Sequence, residues 1–319
     1  MNARIDAGGT TSSVLPVEVA LPEPFNDGST LIRANGIDLA YQSFGDRLHP
    51  ALLLVMGLGA QMIGWDEGFC RMLAACGYHV IRFDNRDVGR STCLHGAAVP
   101  NRFALLATAL RGRPLKVLYT LRDMADDSIG LLDALGIARA HVVGASLGSA
   151  IGQEMAIHHP HRLSSFTSIM GMTGNMRVLR PGREALAVLF TRAATTEAGY
   201  IASSRLAWRV MRVGHYPDEE ARDTHRARLA WLRGYNPNGK LRQLAAFLAS
   251  GNRSPALRAL SVPTLVIHGD VDPLVPLAAG KETAAVIPDA HLHVIAGMGH
   301  ALPMPIWNEI VEAIARHAR

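Results

Sequence analysis

Cysteine is scarce in this chain of 319 residues, which contains only Cys70, Cys76 and Cys93. An odd and sparse count argues against the disulfide framework of a small secreted domain. Cys70 and Cys76 lie in a segment with a helical pattern, where six residues span about 9 Å of helix axis, which is too far for a disulfide. We therefore expect a reducing compartment and a cytoplasmic protein.

Long apolar runs are also missing. No stretch of about 18 consecutive apolar residues occurs, so we predict no membrane-spanning helix. Residues 1–28 contain an early arginine, Arg4, but no uninterrupted apolar run of the kind that a signal peptide carries. We expect these residues to form a flexible or loosely docked N-terminal extension.

Dense basic runs and ligand-binding motifs are absent as well. The chain has 32 basic and 27 acidic residues and a net charge of +5, but the arginines are scattered, so we interpret them as surface residues. The histidine cluster 158–161 is typical of a polar helix end stopped by Pro160, and no G-x-G-x-x-G opens a helix. We predict no metal, no cofactor and no nucleic-acid partner.

Alternating strand and helix patterns fill both ends of the chain. Asn35-Gly36 lies between two β-like stretches and is a hairpin signal. The short apolar runs that follow are typical of buried parallel strands, and they cover residues 51–57, 79–84, 141–145, 163–171, 262–270 and 290–297. Amphipathic helical stretches separate them, for example residues 122–136. Such alternation predicts an α/β fold with a mostly parallel sheet.

The alternation breaks between residues 175 and 260, which are rich in arginine and alanine and lack buried-strand runs. We interpret this block as a helical cap inserted between two strands of one sheet. The predicted organisation is an N-terminal extension over 1–28, a core over 29–174 and 261–319, and a cap over 175–260. Hydrophobic residues make up 49% of the chain, enough for one sizeable core.

The stretch Gly144-Ala145-Ser146-Leu147-Gly148 matches G-x-S-x-G and lies between a predicted strand and a predicted helix. In that context the serine is held on a sharp turn with its hydroxyl exposed, and the glycines avoid side-chain collisions. A tight turn that merely needs small residues is the alternative interpretation. We favour Ser146 as a nucleophile.

A serine hydroxyl needs a base, and in this chain order the base is a histidine beyond the last strand. His300 lies there, in "GMGHALP". A carboxylate must orient that histidine, and the turn after strand 262–270 offers Asp270 and Asp272. We predict that Asp272, followed by Pro273, has this role and that Asp270 caps the turn.

An oxyanion hole needs two donors. One is the amide of Leu147, which follows the nucleophile. The other is predicted in "MGLGAQMIGW", where Gly57 and Gly59 let the backbone turn inward. Leu58 is the predicted donor. His95, His215 and His268 have no comparable placement and are interpreted as ordinary polar residues.

These motifs, with "HVIRFDNRDVGRST" and "VPTLVI", resemble the α/β-hydrolase fold superfamily, and within it the serine esterase branch that contains aclacinomycin methylesterase. The resemblance covers about 36–170 and 260–319. It implies Ser146 as nucleophile, His300 as base and Asp272 as acid. Two departures stand out: Met56-Gly57 replaces the common His-Gly, and residues 175–260 match no motif of that group.

The resulting prediction is a cofactor-independent serine hydrolase that cleaves a small-molecule carboxylic ester through an acyl-enzyme. The same triad could instead hydrolyse a C–C bond, lactone or amide, or support haloperoxidase-like or lyase chemistry. A ligand-binding module with low turnover is a third class. Dehalogenases and epoxide hydrolases of this shape use aspartate where this chain has Ser146, which disfavours both. Activity on esters of increasing chain length, beside a lactone and an amide, discriminates among these classes.

Overall fold

An eight-stranded sheet forms the centre of the structure, a computed structural model that describes residues 26–101, 105 and 115–319. The spatial order of the strands is β1-β2-β4-β3-β5-β6-β7-β8. The strands are β1 Thr30–Ala34, β2 Ile37–Phe44, β3 Ala51–Val55, β4 His79–Phe83, β5 Ala140–Ala145, β6 Leu163–Ile169, β7 Thr264–Gly269 and β8 His291–Ile295. Most of the predicted N-terminal extension, residues 1–25, lies outside the described residues.

The first two strands form the predicted hairpin, with Asn35 and Gly36 both at positive φ, as a tight hairpin turn requires. β2 then pairs antiparallel with β4, and every later pairing in the sheet is parallel. All residues of β3 and β4 are buried. The unbroken apolar run of β3 therefore reflects burial on both faces, and the predicted α/β architecture with a mostly parallel sheet is confirmed.

Helices cover both faces of the sheet, and the alternation along β3 divides the core into two layers. Leu53 and Val55 pack in one apolar cluster with the helices over 121–134 and 147–158, whereas Leu52 and Leu54 pack in another with the helices over 67–75 and 307–317. The helices of the two layers are α1 Glu67–Ala75, α2 Leu121–Ala134, α3 Leu147–His158 and α10 Trp307–His317. A further helix, α9 Leu277–Val286, connects β7 to β8.

Between β6 and β7 lies the insertion segment, residues 175–260, all of which are described. It contains helices and no strand. The helices are α4 Arg183–Leu189, α5 Glu197–Arg212, α6 Glu220–Leu232, α7 Pro237–Ser250 and α8 Ser254–Leu257. Capping side chains start two of them, with Thr196 accepting from the amide of Gly199 and Asn236 accepting from that of Gly239.

Two buried ion pairs dock the insertion segment on the core. Asp84 and Asp87 follow β4 and are fully buried. Arg233 pairs with Asp84, and Arg242 of α7 makes a bidentate pair with Asp87 at 2.7 Å for both bonds. The interpretation of the arginines as surface residues is therefore wrong for these two, because a guanidinium can be buried when a carboxylate satisfies it.

Removing one partner of such a pair leaves a buried charge without compensation. We predict that Arg242→Met lowers the free energy of unfolding by about 3–5 kcal/mol. The control is Arg71→Met, which removes the exposed pair with Glu67 and costs at most about 1 kcal/mol. Urea denaturation of both variants measures the difference, and equal losses would contradict the buried docking contact.

Candidate active site

Ser146 occupies a strained corner between β5 and α3. Its φ of 55° and ψ of −115° lie outside the regions that a serine normally adopts. Its amide donates to the carbonyl of Ile169 at 2.9 Å, which fixes the corner to the end of β6. The residue stays partly exposed, so the structure presents the Ser146 hydroxyl at the carboxyl edge of the sheet.

The two flanking glycines are required by close backbone approach. A Cβ on Gly144 would lie 2.2 Å from the carbonyl oxygen of Gly148. A Cβ on Gly148 would lie 2.0 Å from the carbonyl oxygen of Val55, at the end of β3. Any side chain at either position would therefore push α3 away from the sheet.

His300 connects the serine to a carboxylate. Its Nε2 lies 2.9 Å from Ser146 Oγ, and its Nδ1 lies 2.7 Å from Asp272 Oδ2. An ionised carboxylate can only accept, so Nδ1 carries the proton and Nε2 is the acceptor that faces the hydroxyl. The structure thus brings together three of the residues singled out in the sequence, from three separate loops.

The prediction that Asp270 caps the turn after β7 is wrong. Asp272 itself caps the turn, because its Oδ1 accepts from the amides of Leu274 and Val275 at 2.9 and 2.8 Å. Pro273 has no N–H, so these are the first amides available to the carboxylate. Asp270 instead accepts from the amide of Gly297 at 2.7 Å, on the loop that leads to His300.

His268 lies beside the site, and sequence reasoning gave it no place there. It is fully buried, its Nε2 donates to the carbonyl of Val275 at 2.8 Å, and the same nitrogen is 3.7 Å from Asp272 Oδ2. Burial lowers the pKa of His268, so the ring is neutral at physiological pH. The ring packs beside Asp272, and its Nδ1 faces α9, where a Cβ on Gly280 would lie 2.5 Å from it.

The loop after β3 passes next to Ser146. A Cβ on Gly57 would lie 3.3 Å from Ser146 Cβ and 3.8 Å from its Oγ. The loop turns over Gly57–Ala60, closed by the Ala60 amide donating to the Gly57 carbonyl at 3.2 Å. Leu58 occupies the second position of this turn, while Leu147 is the first residue of α3. Both predicted oxyanion donors therefore belong to segments that adjoin Ser146.

The insertion segment holds the loop that carries His300. The His300 amide donates to the carbonyl of Met211, in the last turn of α5, at 2.8 Å. The Tyr216 hydroxyl donates to the Ala296 carbonyl at 2.8 Å. Nothing in the sequence indicated the Met211 contact, because it uses only the backbone.

Two tryptophans of the insertion segment have aromatic or cationic partners within it. Trp231 stacks on Tyr235, and Trp208 lies under the guanidinium of Arg226 at 4.0 Å. These contacts lie within the insertion segment and are consistent with packing.

In the described part of the chain, no three His, Cys, Asp or Glu side chains converge as metal ligands would. In the histidine cluster, the ring of His159 contacts Asp126 at 2.7 Å. No helix among the described residues is long and apolar enough to cross a membrane.

Comparisons with known proteins identify the fold family. A model of the alpha/beta hydrolase fold family matches residues 50–305. Rhodomycin D methylesterase DauP from Streptomyces sp. (strain C5) is 27% identical over 308 residues, which cover 91% of this chain and 97% of DauP. Rhodomycin D methylesterase DnrP from Streptomyces peucetius is 26% identical over 308 residues, which cover 91% of this chain and 97% of DnrP.

Among solved structures, the meta-cleavage product hydrolase CumD from Pseudomonas fluorescens IP01 superposes with a TM-score of 0.70. The alignment covers 90% of this chain and 96% of CumD at 18% sequence identity. At this identity the comparison shows a shared fold.

The contact at Gly148 generates a prediction about stability. We expect Gly148→Ala to lower the free energy of unfolding by about 3 kcal/mol or more, because the new methyl overlaps the backbone of β3. Gly182→Ala is the control, since the nearest atom to its Cβ would be 3.4 Å away, and it should cost about 1 kcal/mol or less. Thermal denaturation of both variants checks this, and similar melting temperatures would refute the close approach.

Proposed function

The chain belongs to the alpha/beta hydrolase fold family, and from that premise we propose that it is a serine hydrolase that cleaves carboxylic esters. The observation that carries the proposal is the hydrogen-bonded series Asp272–His300–Ser146, with contacts of 2.7 and 2.9 Å. Its serine lies on a strained strand-to-helix corner, the placement that exposes a nucleophile in this fold.

In the proposed mechanism, Ser146 Oγ attacks the ester carbonyl while His300 Nε2 accepts its proton. Asp272 holds the other ring nitrogen protonated and stabilises the imidazolium that forms. The imidazolium then gives its proton to the departing alcohol, which leaves Ser146 acylated. Water, deprotonated by His300, attacks the acyl-enzyme and releases the acid.

The amides of Leu58 and Leu147 are the proposed oxyanion donors. Leu147 begins a helix of 12 residues, so its amide adds the positive end of the helix dipole to one hydrogen bond. The turn that contains Leu58 follows the end of β3 and passes next to Ser146. Two fixed donors that converge where charge develops lower the barrier to the tetrahedral intermediate.

The proposed organisation has a core over 29–174 and 261–319, a cap formed by the insertion segment, and an extension over 1–28. The cap contacts the His300 loop, so it lies at the reacting groups. The relatives DauP and DnrP are named rhodomycin D methylesterases. Methyl esters are therefore the first substrates to test, with p-nitrophenyl esters, a lactone, an amide and a β-diketone in the same panel.

The first test is Ser146→Ala. We expect hydrolysis of methyl and p-nitrophenyl esters to fall at least about 10³-fold while the protein stays folded, because the variant loses the nucleophile but little packing. Ser149→Ala is the matched control: Ser149 is a buried serine in the first turn of α3 that contacts Ser168, and its loss should leave the rate within about threefold. Turnover that survives in Ser146→Ala, or wild-type protein inactive on every substrate, would refute the proposal.

The second test distinguishes the two aspartates. Asp272→Asn keeps an oxygen for the amides of Leu274 and Val275, but it presents an NH₂ group to His300 and so forces the proton onto Nε2. We expect kcat/KM to fall roughly 10⁴-fold, with a small change in melting temperature. Asp270→Asn keeps its acceptor for Gly297 and should retain most of the rate. The reverse pattern in kcat/KM would show that the wrong carboxylate was chosen.

A further inference from the structure

Helix α7 of the insertion segment contacts two loops of the core through one side chain. Gln243 is fully buried. Its Oε1 accepts from the amide of Gly59 at 2.8 Å, and its Nε2 donates to the carbonyl of Arg86 at 2.8 Å. Because one partner can only donate and the other can only accept, these contacts allow a single orientation of the glutamine amide.

The contact with Gly59 fixes the turn that contains Leu58. Two peptide planes flank Leu58, and each makes one hydrogen bond. The Gly57 carbonyl, in the first plane, accepts from Ala60, and the Gly59 amide, in the second plane, donates to Gln243. A trans peptide points its N–H away from its C=O, so the Leu58 amide points away from the bond that closes the turn.

A contact from outside the turn is needed to fix its conformation. Gly59 has a φ of +64°, and a Cβ there would meet Lys240 at 2.9 Å, so only glycine fits. The turn's own hydrogen bond, at 3.2 Å, acts on the first peptide plane, which carries the Leu58 N–H, but with glycine on both sides of Leu58 this one bond leaves the backbone wide freedom. The two planes meet at the Leu58 Cα, so fixing the second plane also limits the rotation of the first. The second plane is held by Gln243.

Gln243 is itself rigidly placed. The preceding residue, Arg242, makes the bidentate pair with Asp87. One turn earlier, a Cβ on Gly239 would lie 2.0 Å from the Asp87 carbonyl oxygen, so α7 packs directly on the loop after β4. The Arg86 carbonyl that accepts from Gln243 belongs to the same loop. The loop after β4 therefore fixes the position of α7, and α7 in turn fixes the Leu58 turn through Gln243.

We propose that Gln243 is a positioning residue for oxyanion stabilisation, holding the Leu58 amide in the orientation that receives the developing charge. This inference rests on the proposed serine hydrolase function. Donors arranged before the reaction stabilise the transition state without reorganising. The insertion segment is then part of the catalytic apparatus as well as a cover for substrate.

The test is Gln243→Met, which keeps the side-chain volume and removes both hydrogen bonds. We expect kcat for a methyl ester to fall roughly 10- to 100-fold, less than for outright loss of a donor, with KM within about threefold. A trifluoromethyl ketone forms a tetrahedral adduct: its carbonyl carbon bonds to Ser146 Oγ, the serine proton passes to His300 and the ketone oxygen becomes an oxyanion. Its affinity should fall by the same factor as kcat, whereas that of the matching secondary alcohol should not change.

The control is Gln153→Met. Gln153 is also fully buried and bridges two partners, Arg253 and the Met172 carbonyl, but it does not contact the Leu58 turn. We expect it to lower the melting temperature as Gln243→Met does and to leave kcat and ketone affinity within about threefold. Gln243→Asn, whose amide is one methylene too short to reach Gly59, is measured in parallel in case the methionine variant does not fold.

The inference is overturned if kcat and ketone affinity fall no further in the Gln243 variants than in Gln153→Met. It is also overturned if the affinities for the ketone and the alcohol fall together. Failure of the proposed function has a different signature, because wild-type protein would then hydrolyse no ester and form no ketone adduct. An active wild type with unaffected Gln243 variants removes the positioning role alone.

Discussion

The site depends on one close approach between backbones, where α3 meets the end of β3. The Gly148 Cα faces the Val55 carbonyl so closely that a methyl group on it would lie 2.0 Å from that oxygen. This approach brings the corner that carries Ser146 against the loop that starts at Met56, so the hydroxyl and the Leu58 turn become neighbours. The strained φ and ψ of Ser146 are the conformational cost of the arrangement, and the packing of α3 in the core offsets it.

The other reacting groups come from the loops that follow β7 and β8, and each loop is held at more than one point. Asp272 uses one oxygen to cap its own turn and the other to contact His300, so local folding orients the carboxylate before any ligand binds. The His300 loop is held by Asp270 through Gly297 and by the Met211 carbonyl of the insertion segment. These contacts order the groups in the free protein, which is what preorganised catalysis requires.

The sequence was informative wherever the chemistry is local. The hairpin at Asn35-Gly36, the buried strands and the glycines around Ser146 follow from turn chemistry and periodicity within a few residues. His300 and Asp272 could be placed because the order of elements puts both at the carboxyl edge of the sheet. Gln243 and Arg242 could not, since their partners lie more than 150 residues earlier, and no periodic pattern encodes which helix meets which loop. From the sequence alone, a single arginine in an amphipathic helix is predicted to face solvent. Arg242 is buried because the fold places Asp87 beside it.

The contacts that dock the insertion segment on the core suit the proposed positioning of the Leu58 turn. An apolar interface would bury area at lower cost, because burying Asp87 and Arg242 carries a desolvation penalty that their pairing only partly returns. Apolar burial is non-directional, however, whereas a bidentate guanidinium–carboxylate pair fixes distance and angle together. Gln243 directly follows Arg242, so the ion pair that fixes α7 also fixes the Gln243 side-chain oxygen that accepts from the Gly59 amide. Directional polar contacts are what a turn with glycine on both sides of Leu58 needs in order to present one backbone amide accurately.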